Sequence, residues 1–267
     1  MNYIALDHWD LMIAASLLLV NGGLSLALDL GLVRSLLIAA ISMTVQLLLV
    51  GLVLEALFTS LSPLWTALAI IAMLLFAGRE MMARQRRRLR GFWSYSLGTG
   101  AVAMASVLVT AFALTTQVAP DPWYHPQYAV PLLGMVLGNT LTGVGLALDA
   151  LTSGLVTGRA GVEARLALGE TIRRATLPVV RTALRTALMP TVNAMAVTGL
   201  VTLPGMMTGQ ILSGVEPQEA VKYQLLVMFL ISGGTAIGSI AAVHGGIWRL
   251  TDRRHRLRLD RLSAPSG

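Results

Sequence analysis

The sequence predicts an all-α integral membrane protein of about seven transmembrane helices, with its amino terminus outside and its carboxyl terminus in the cytoplasm. Three observations predict it. Charged residues make up 12% of the 267 positions and hydrophobic ones 55%, too little charge to cover a water-soluble globule of this length. Seven stretches free of Asp, Glu, Lys and Arg come close to or exceed the roughly 20 residues that a helix needs to cross a hydrocarbon core. Finally, the basic residues sit almost entirely in alternate gaps between those stretches.

The first stretch, 11–28, follows a start that carries Asp7 and Asp10 and no basic residue. It lacks the positive region of a cleaved secretory signal, so it is expected to stay as helix 1. Stretches 35–54 and 56–78 are separated by Glu55 and followed by an arginine cluster. Stretches 91–120 and 126–148 flank the loop PDPWYHPQ at 120–127, and 186–215 and 223–248 flank a short segment around Glu216 and Lys222. The two longest, 91–120 and 186–215, are expected to contain interfacial or non-spanning turns. Trp9, Trp65, Trp93, Trp123 and Trp248 all fall near predicted helix ends, as an interfacial aromatic belt requires.

The net charge of +7 is informative through its placement. Apart from Lys222, every basic residue follows stretch 1, 3, 5 or 7: Arg34, the cluster 79–90, the loop 159–185 and the tail 249–261. Odd-numbered exits share one face, and the positive-inside rule makes that face cytoplasmic. Basic clusters beside a membrane bind anionic headgroups, and with no aromatic-plus-basic recognition module among the helices, nucleic acid is not an expected partner. The chain has no cysteine, which excludes a disulfide framework and thiolate metal ligation. No hydrophilic stretch is long enough to fold alone, so residues 1–267 read as a single polytopic domain.

The longest cytoplasmic excursion, 153–185, is not an unstructured loop. Between 161 and 177, Val162, Leu166, Ile172 and Leu177 alternate with Glu163, Arg165, Glu170, Arg173 and Arg174. That pattern is a short amphipathic helix or helix pair on the membrane surface.

Polar side chains inside a bilayer are costly, which makes the amides Asn21, Gln46, Asn139, Asn193 and Gln210 worth singling out. Each one alone is better explained as glue between packed helices; together they are the candidates for a polar pathway. Asp29, Glu55 and Asp149 lie at predicted helix ends, and His244 is the one ionisable side chain inside a stretch. A proton-driven carrier usually needs a titratable group near the midplane. There is no HExxH, no GxSxG and no GxxxxGK[ST] phosphate loop, so hydrolytic or metal-site catalysis and ATP binding by this chain itself have no motif to rest on. If transport is active, a separate ATPase must push on a cytoplasmic surface, and the amphipathic segment is the handle.

Residues 163–169 read EARLALG. This resembles the EAA-type coupling loop of ATP-binding-cassette importer permeases, with Glu163, Ala164 and Gly169 matching and Arg165 replacing the second alanine. A longer resemblance adds to it. The stretches VQLLLVGLVLE (45–55), GMVLGNTLTGVGLALD (134–149), and LPGMMTGQIL (203–212) followed by PxxAVxYQ (217–224) are similar to the FetB (YbbM) family. Its bacterial members are regarded as permease subunits of an iron-export ABC transporter with the ATPase FetA, and its plant relatives are linked to aluminium tolerance. The resemblance implies a cytoplasmic ABC ATPase that carries the ATP and magnesium, a permease homodimer, an inner-membrane location, and a metal or small-solute substrate.

Pro204 and Gly205 should kink or break the sixth helix, because proline removes a backbone hydrogen bond and glycine lowers helix propensity. The freed carbonyls are then expected to line a cavity or find polar neighbours. Met206, Met207 and Gln210 follow the break. Thioethers suit soft metals better than iron, and methionine at such a place is more often an adaptable packing residue. The expected function is that of a non-enzymatic permease subunit working by alternating access, with a passive channel, a secondary transporter and a membrane scaffold as rivals.

Overall fold

The computed structural model describes residues 7–60, 62–84, 87–252, 254 and 256–263. Among them the chain forms nine α-helices: α1 His8–Ala27, α2 Val33–Ser60, α3 Pro63–Arg84, α4 Trp93–Ala113, α5 Pro126–Thr157, α6 Arg159–Ala167, α7 Ile172–Val197, α8 Gly205–Leu212 and α9 Pro217–Arg249. α4 runs on into a π-helical turn, Leu114–Val118. The described residues contain no strand longer than isolated bridges. Six of the helices, α1 to α5 and α9, are long and apolar enough to cross a membrane.

Two compact units are present. The first holds α1 and α2, apolar on nearly all sides and exposed along almost their whole length, as helices facing lipid are. The turn between them is built locally: Asp29 and Gly31 take positive φ, and the buried Ser25 Oγ accepts from the Leu32 N–H at 3.1 Å.

The second unit contains α3 to α7 and α9. α5 is its hub, packed against α3, α4, α6, α7 and α9. Small residues allow the close approach: Gly234, Gly238, Ala242 and Gly246 recur at helical spacing on the buried face of α9. Without a hydrophobic driving force between helices in lipid, such close van der Waals packing carries the association. One core cluster joins Leu151 and Leu155 of α5 to Ala183, Val243, Leu250, Leu89 and Leu262. Another, at the opposite end of α5, joins Ala129 and Leu132 to Val109, Val227 and Leu230.

The segments of this unit that carry arginine converge on one end. Trp93 at the start of α4 packs on Trp248 at the end of α9, with ring centroids 5.5 Å apart. The tail folds back there, pairing Leu262 with Leu89 through the bonds Arg90 N–H to Arg261 O (2.7 Å) and Ser263 N–H to Arg88 O (2.8 Å). The tryptophans at 9, 65, 93 and 248 lie within three residues of a helix end, as the aromatic belt predicts.

Stretch 186–215 is interrupted as expected, shared by the second half of α7, a link at 198–204, and α8. Two expectations change. α7 starts at Ile172, so the charged part of the amphipathic segment and the following apolar stretch form one helix, and Pro178 lies inside it. A proline in the second turn forfeits one bond and leaves the rest of the ladder intact. Neither Glu55 nor Asp149 ends its helix, since α2 runs to Ser60 and α5 to Thr157. His244 is exposed on α9, with Nδ1 bonded to its own helix at Ile240 O, 2.8 Å away.

Candidate functional site

The arginine end carries a helical hairpin. α6 is held down by Val162, 4% exposed, against α5 and α7. Its other face is solvent-facing and carries an ion pair between Arg159 and Glu163 at 2.7 Å. The turn that ends α6 has a definite cause. Gly169 takes φ +88°, its N–H donates to Leu166 O at 3.0 Å, and the Glu170 N–H donates to Arg165 O at 3.1 Å. This is a Schellman motif, whose left-handed position favours glycine because a Cβ there meets the adjacent carbonyl. Leu168 is lifted to the tip at 85% exposure. Glu163, Ala164 and Gly169 are thus placed on one short exposed helix and its terminating turn.

The pathway candidates are not gathered in one place. Asn139 lines a cleft of about 130 Å³ with Thr142 and Gly143 of α5, Pro190, Thr191 and Ala194 of α7, and Met228 of α9. Its amide donates to Met135 O of its own helix at 2.8 Å, so it is oriented without being tied to a neighbour. Asn193 is exposed on α7 outside that lining. Gln46 is exposed on α2, in the other unit.

The break at Pro204 is wider than one residue. Pro204 sits at the position preceding α8, and Gly205 is the first residue of α8. The link settles its own backbone: Gly199 N–H donates to Thr202 O at 2.9 Å, and Thr198 and Thr208 hydroxyls donate to Ala194 O and Pro204 O. Of the two expected fates of the freed carbonyls, these bonds realise the second, polar neighbours. Met206 is half-buried and packs on the cluster around Val109, Ala129 and Val227, and Met207 and Gln210 are half-buried on the same short helix. That placement gives Met206 a packing partner.

Two features were missed in the sequence. Ser106 of α4, Thr140 of α5, and Thr235 and Ser239 of α9 are fully buried, and their hydroxyls have no hydrogen-bond partner. Single hydroxyls scattered in apolar stretches give no pattern until helices pack. The second is a bowl of about 290 Å³ lined by Val118, Pro120, Asp121, His125, Gln127, Tyr128 and Tyr223. His125 caps α5 there, accepting from the Gln127 N–H at Nδ1 (3.4 Å). The crowding of Asp, His and Tyr around PDPWYHPQ was the available signal. Among the described residues no group of three His, Cys, Asp or Glu gathers to hold a metal ion.

Carboxylates in the tail are spoken for. Backbone N–H groups of Arg256 and Arg254 and the Arg256 side chain hold Asp252 below the usual carboxylate range. The Arg258 guanidinium, bonded through Nε and Nη2, lowers Asp260 to about 2.

Residues 8–250 match the model of the uncharacterised protein family UPF0014. A UPF0014 membrane protein of Synechocystis is 36% identical over 79% of this chain and 80% of its own length. The UPF0014 membrane protein STAR2 of Oryza sativa subsp. japonica is 35% identical over 83% of this chain and 75% of its own. The Escherichia coli K12 protein named probable iron export permease protein FetB is 29% identical over 80% of each chain. No solved structure matches. With six spanning helices and this match across nearly its full length, the chain is a multi-pass membrane protein that belongs to the UPF0014 family.

Proposed function

We propose that the chain is the permease subunit of an ATP-binding-cassette transporter that moves iron or a related metal ion out of the cell, powered by a separate cytoplasmic ATPase that binds ATP and magnesium. The observation that carries this reading is the α6 hairpin. It is a short helix anchored by one buried valine, ended by a glycine turn, and presenting an exposed leucine at the arginine-rich end of the bundle. A rigid knob of that kind is what a partner needs to transmit a push into the membrane helices, because α6 is continuous through one-residue and four-residue turns with α5 and α7. Those two helices form two walls of the cleft at Asn139.

The name of the Escherichia coli relative supports the substrate and the direction. The convergence of basic segments supports a cytoplasmic location for α6 and the tail. In this mechanism ATPase closure tilts α6, α5 and α7 shift against α9, and the cleft opens to alternate sides. The short α8, set off by the link at 198–204, moves with less restraint than a continuous span. A permease homodimer completes the transporter.

Reconstitution tests the proposal. The chain is combined in liposomes with the candidate ATPase, and hydrolysis is followed across a panel of metal ions. Stimulation by a subset of metals, with ATP-dependent movement of the same ions, is the expected outcome. Metal flux that proceeds at full rate without any ATPase favours the passive channel or secondary transporter and overturns the reading.

A further inference from the structure

The arginine end contains a corner that the transport reading does not use. Arg249, in the last turn of α9, lays its guanidinium over Trp93 at 5.0 Å. Trp93 in turn packs on Trp248, which is 67% exposed. The folded-back tail brings two more arginines to this place. Arg261 Nη1 donates to the Arg249 carbonyl at 2.6 Å, and the Leu89–Leu262 pairing sets Arg88 beside Ser263, whose Oγ accepts from the Arg88 N–H at 3.1 Å.

Asp252 is taken by Arg256, and Asp260 by Arg258 with a weaker pull from Arg261. Among the described residues, Arg88 and Arg249 form no ion pair with a carboxylate. The Nε atoms of Arg88 and Arg249 are shielded from solvent and have no hydrogen-bond acceptor. A shielded, unpaired donor on a cation costs more than an ordinary unmade bond, and an anion held by the outer nitrogens of the same guanidinium offsets that cost through its charge. The guanidinium fork matches the paired oxygens of carboxylate and phosphate, and phosphate is the anion that a membrane surface supplies most densely. The exposed Trp248 ring beside it is an apolar and polar surface in one, the type that sits at headgroup depth.

We infer that Arg88, Arg249 and Arg261 bind the phosphate of an anionic membrane lipid, with Trp93 and Trp248 against the first carbons of its chains. A lipid is favoured over a soluble anion because the corner joins guanidinium groups to an exposed aromatic pair at a helix end. It is favoured over a protein because the α6 hairpin, not this corner, projects an apolar tip. The inference does not depend on what the chain transports.

The test is native mass spectrometry of the full chain in detergent, titrated with phosphatidylglycerol, phosphatidylcholine and inorganic phosphate. Phosphatidylglycerol should bind about tenfold more tightly than phosphatidylcholine, and inorganic phosphate should not compete at equal concentration. Arg249→Gln and Arg88→Gln should each remove most of that preference. Arg254→Gln, which deletes the same charge from an exposed tail position, should keep it. Arg249→Lys guards against a folding defect: it keeps the charge and should lose part of the preference at an unchanged melting midpoint in phosphatidylcholine. Equal binding of the two lipids, full competition by inorganic phosphate, or an Arg254→Gln loss as large as that of Arg249→Gln would each overturn the assignment. So would retained lipid preference in Arg249→Gln together with lost ATPase binding, which would give the corner to the partner protein.

Discussion

Gly238 of α9 lies against Thr140 of α5 so closely that a Cβ at position 238 would stand 2.8 Å from the Thr140 methyl carbon, and 3.3 Å from Ala105 of α4 on another side. Three helices meet at this point, in the middle of the second unit. The surrounding hydroxyls of Ser106, Thr140, Thr235 and Ser239 are buried with no partner, so close packing, and not side-chain bonding, holds the junction.

A side chain at 238 must therefore push helices apart. Gly238→Leu should destabilise the protein by about 1–3 kcal/mol or more through overpacking, and Gly238→Ala by less. Thermal unfolding in detergent measures it; a melting midpoint for Gly238→Leu equal to that of the unaltered protein would show that the α4–α5–α9 junction is looser than described.

The turn at Gly169 separates a local backbone demand from a packing demand. Nothing lies within 4 Å of a Cβ there, yet φ is +88°. A β-branched residue should cost about 1–2 kcal/mol at that turn, redirect Leu168, and leave the membrane core intact. Gly169→Val is expected to lower co-purification of the ATPase severalfold while the melting midpoint falls by only a few degrees, with Gly169→Asn, which tolerates positive φ, close to normal. Unchanged association and turnover in Gly169→Val would remove α6 as the contact.

Asn139 and Asn193 look equivalent in the sequence and are not equivalent in space. Asn139 lines the cleft and bonds only within α5, whereas Asn193 is exposed away from it. Asn139→Ala should change metal flux in proteoliposomes with less than about 1 kcal/mol change in stability, and Asn193→Ala should change flux little. Equal effects from the two would mean that the cleft is not the path.

Asp260 reports on the tail. Its carboxyl is lowered to about 2 in the fold by the Arg258 guanidinium, against an ordinary 3.8. The unfolded tail therefore binds the proton first, so the pair's contribution is complete above pH 3.8 and is lost as pH falls through about 2. Carbon NMR of the labelled carboxyl should show its midpoint near 2, and a midpoint near 4 would mean the pair is absent in solution. At neutral pH, Asp260→Asn should speed amide exchange at Arg90 and Ser263, the donors that tie the tail to the loop before α4.

The amino-acid sequence by itself determined that the chain lives in a membrane, roughly where its helices run, that 186–215 is interrupted near Pro204, and that 161–177 is helical and amphipathic, as one helix or a pair. Each of these is a local property. A backbone in lipid must satisfy its own hydrogen bonds, so length and apolarity are sufficient signals for a span, and proline or glycine acts within a turn of where it stands. Only the tertiary structure decided that α7 joins a charged segment to an apolar one, because a buried stripe of Ala175, Ala183, Ala187 and Thr191 holds it as one helix. The pairing of Leu89 with Leu262, and the meeting of Asn139 with Pro190, were likewise decided there. Those contacts join residues far apart in the chain, where no periodicity within either segment specifies the partner.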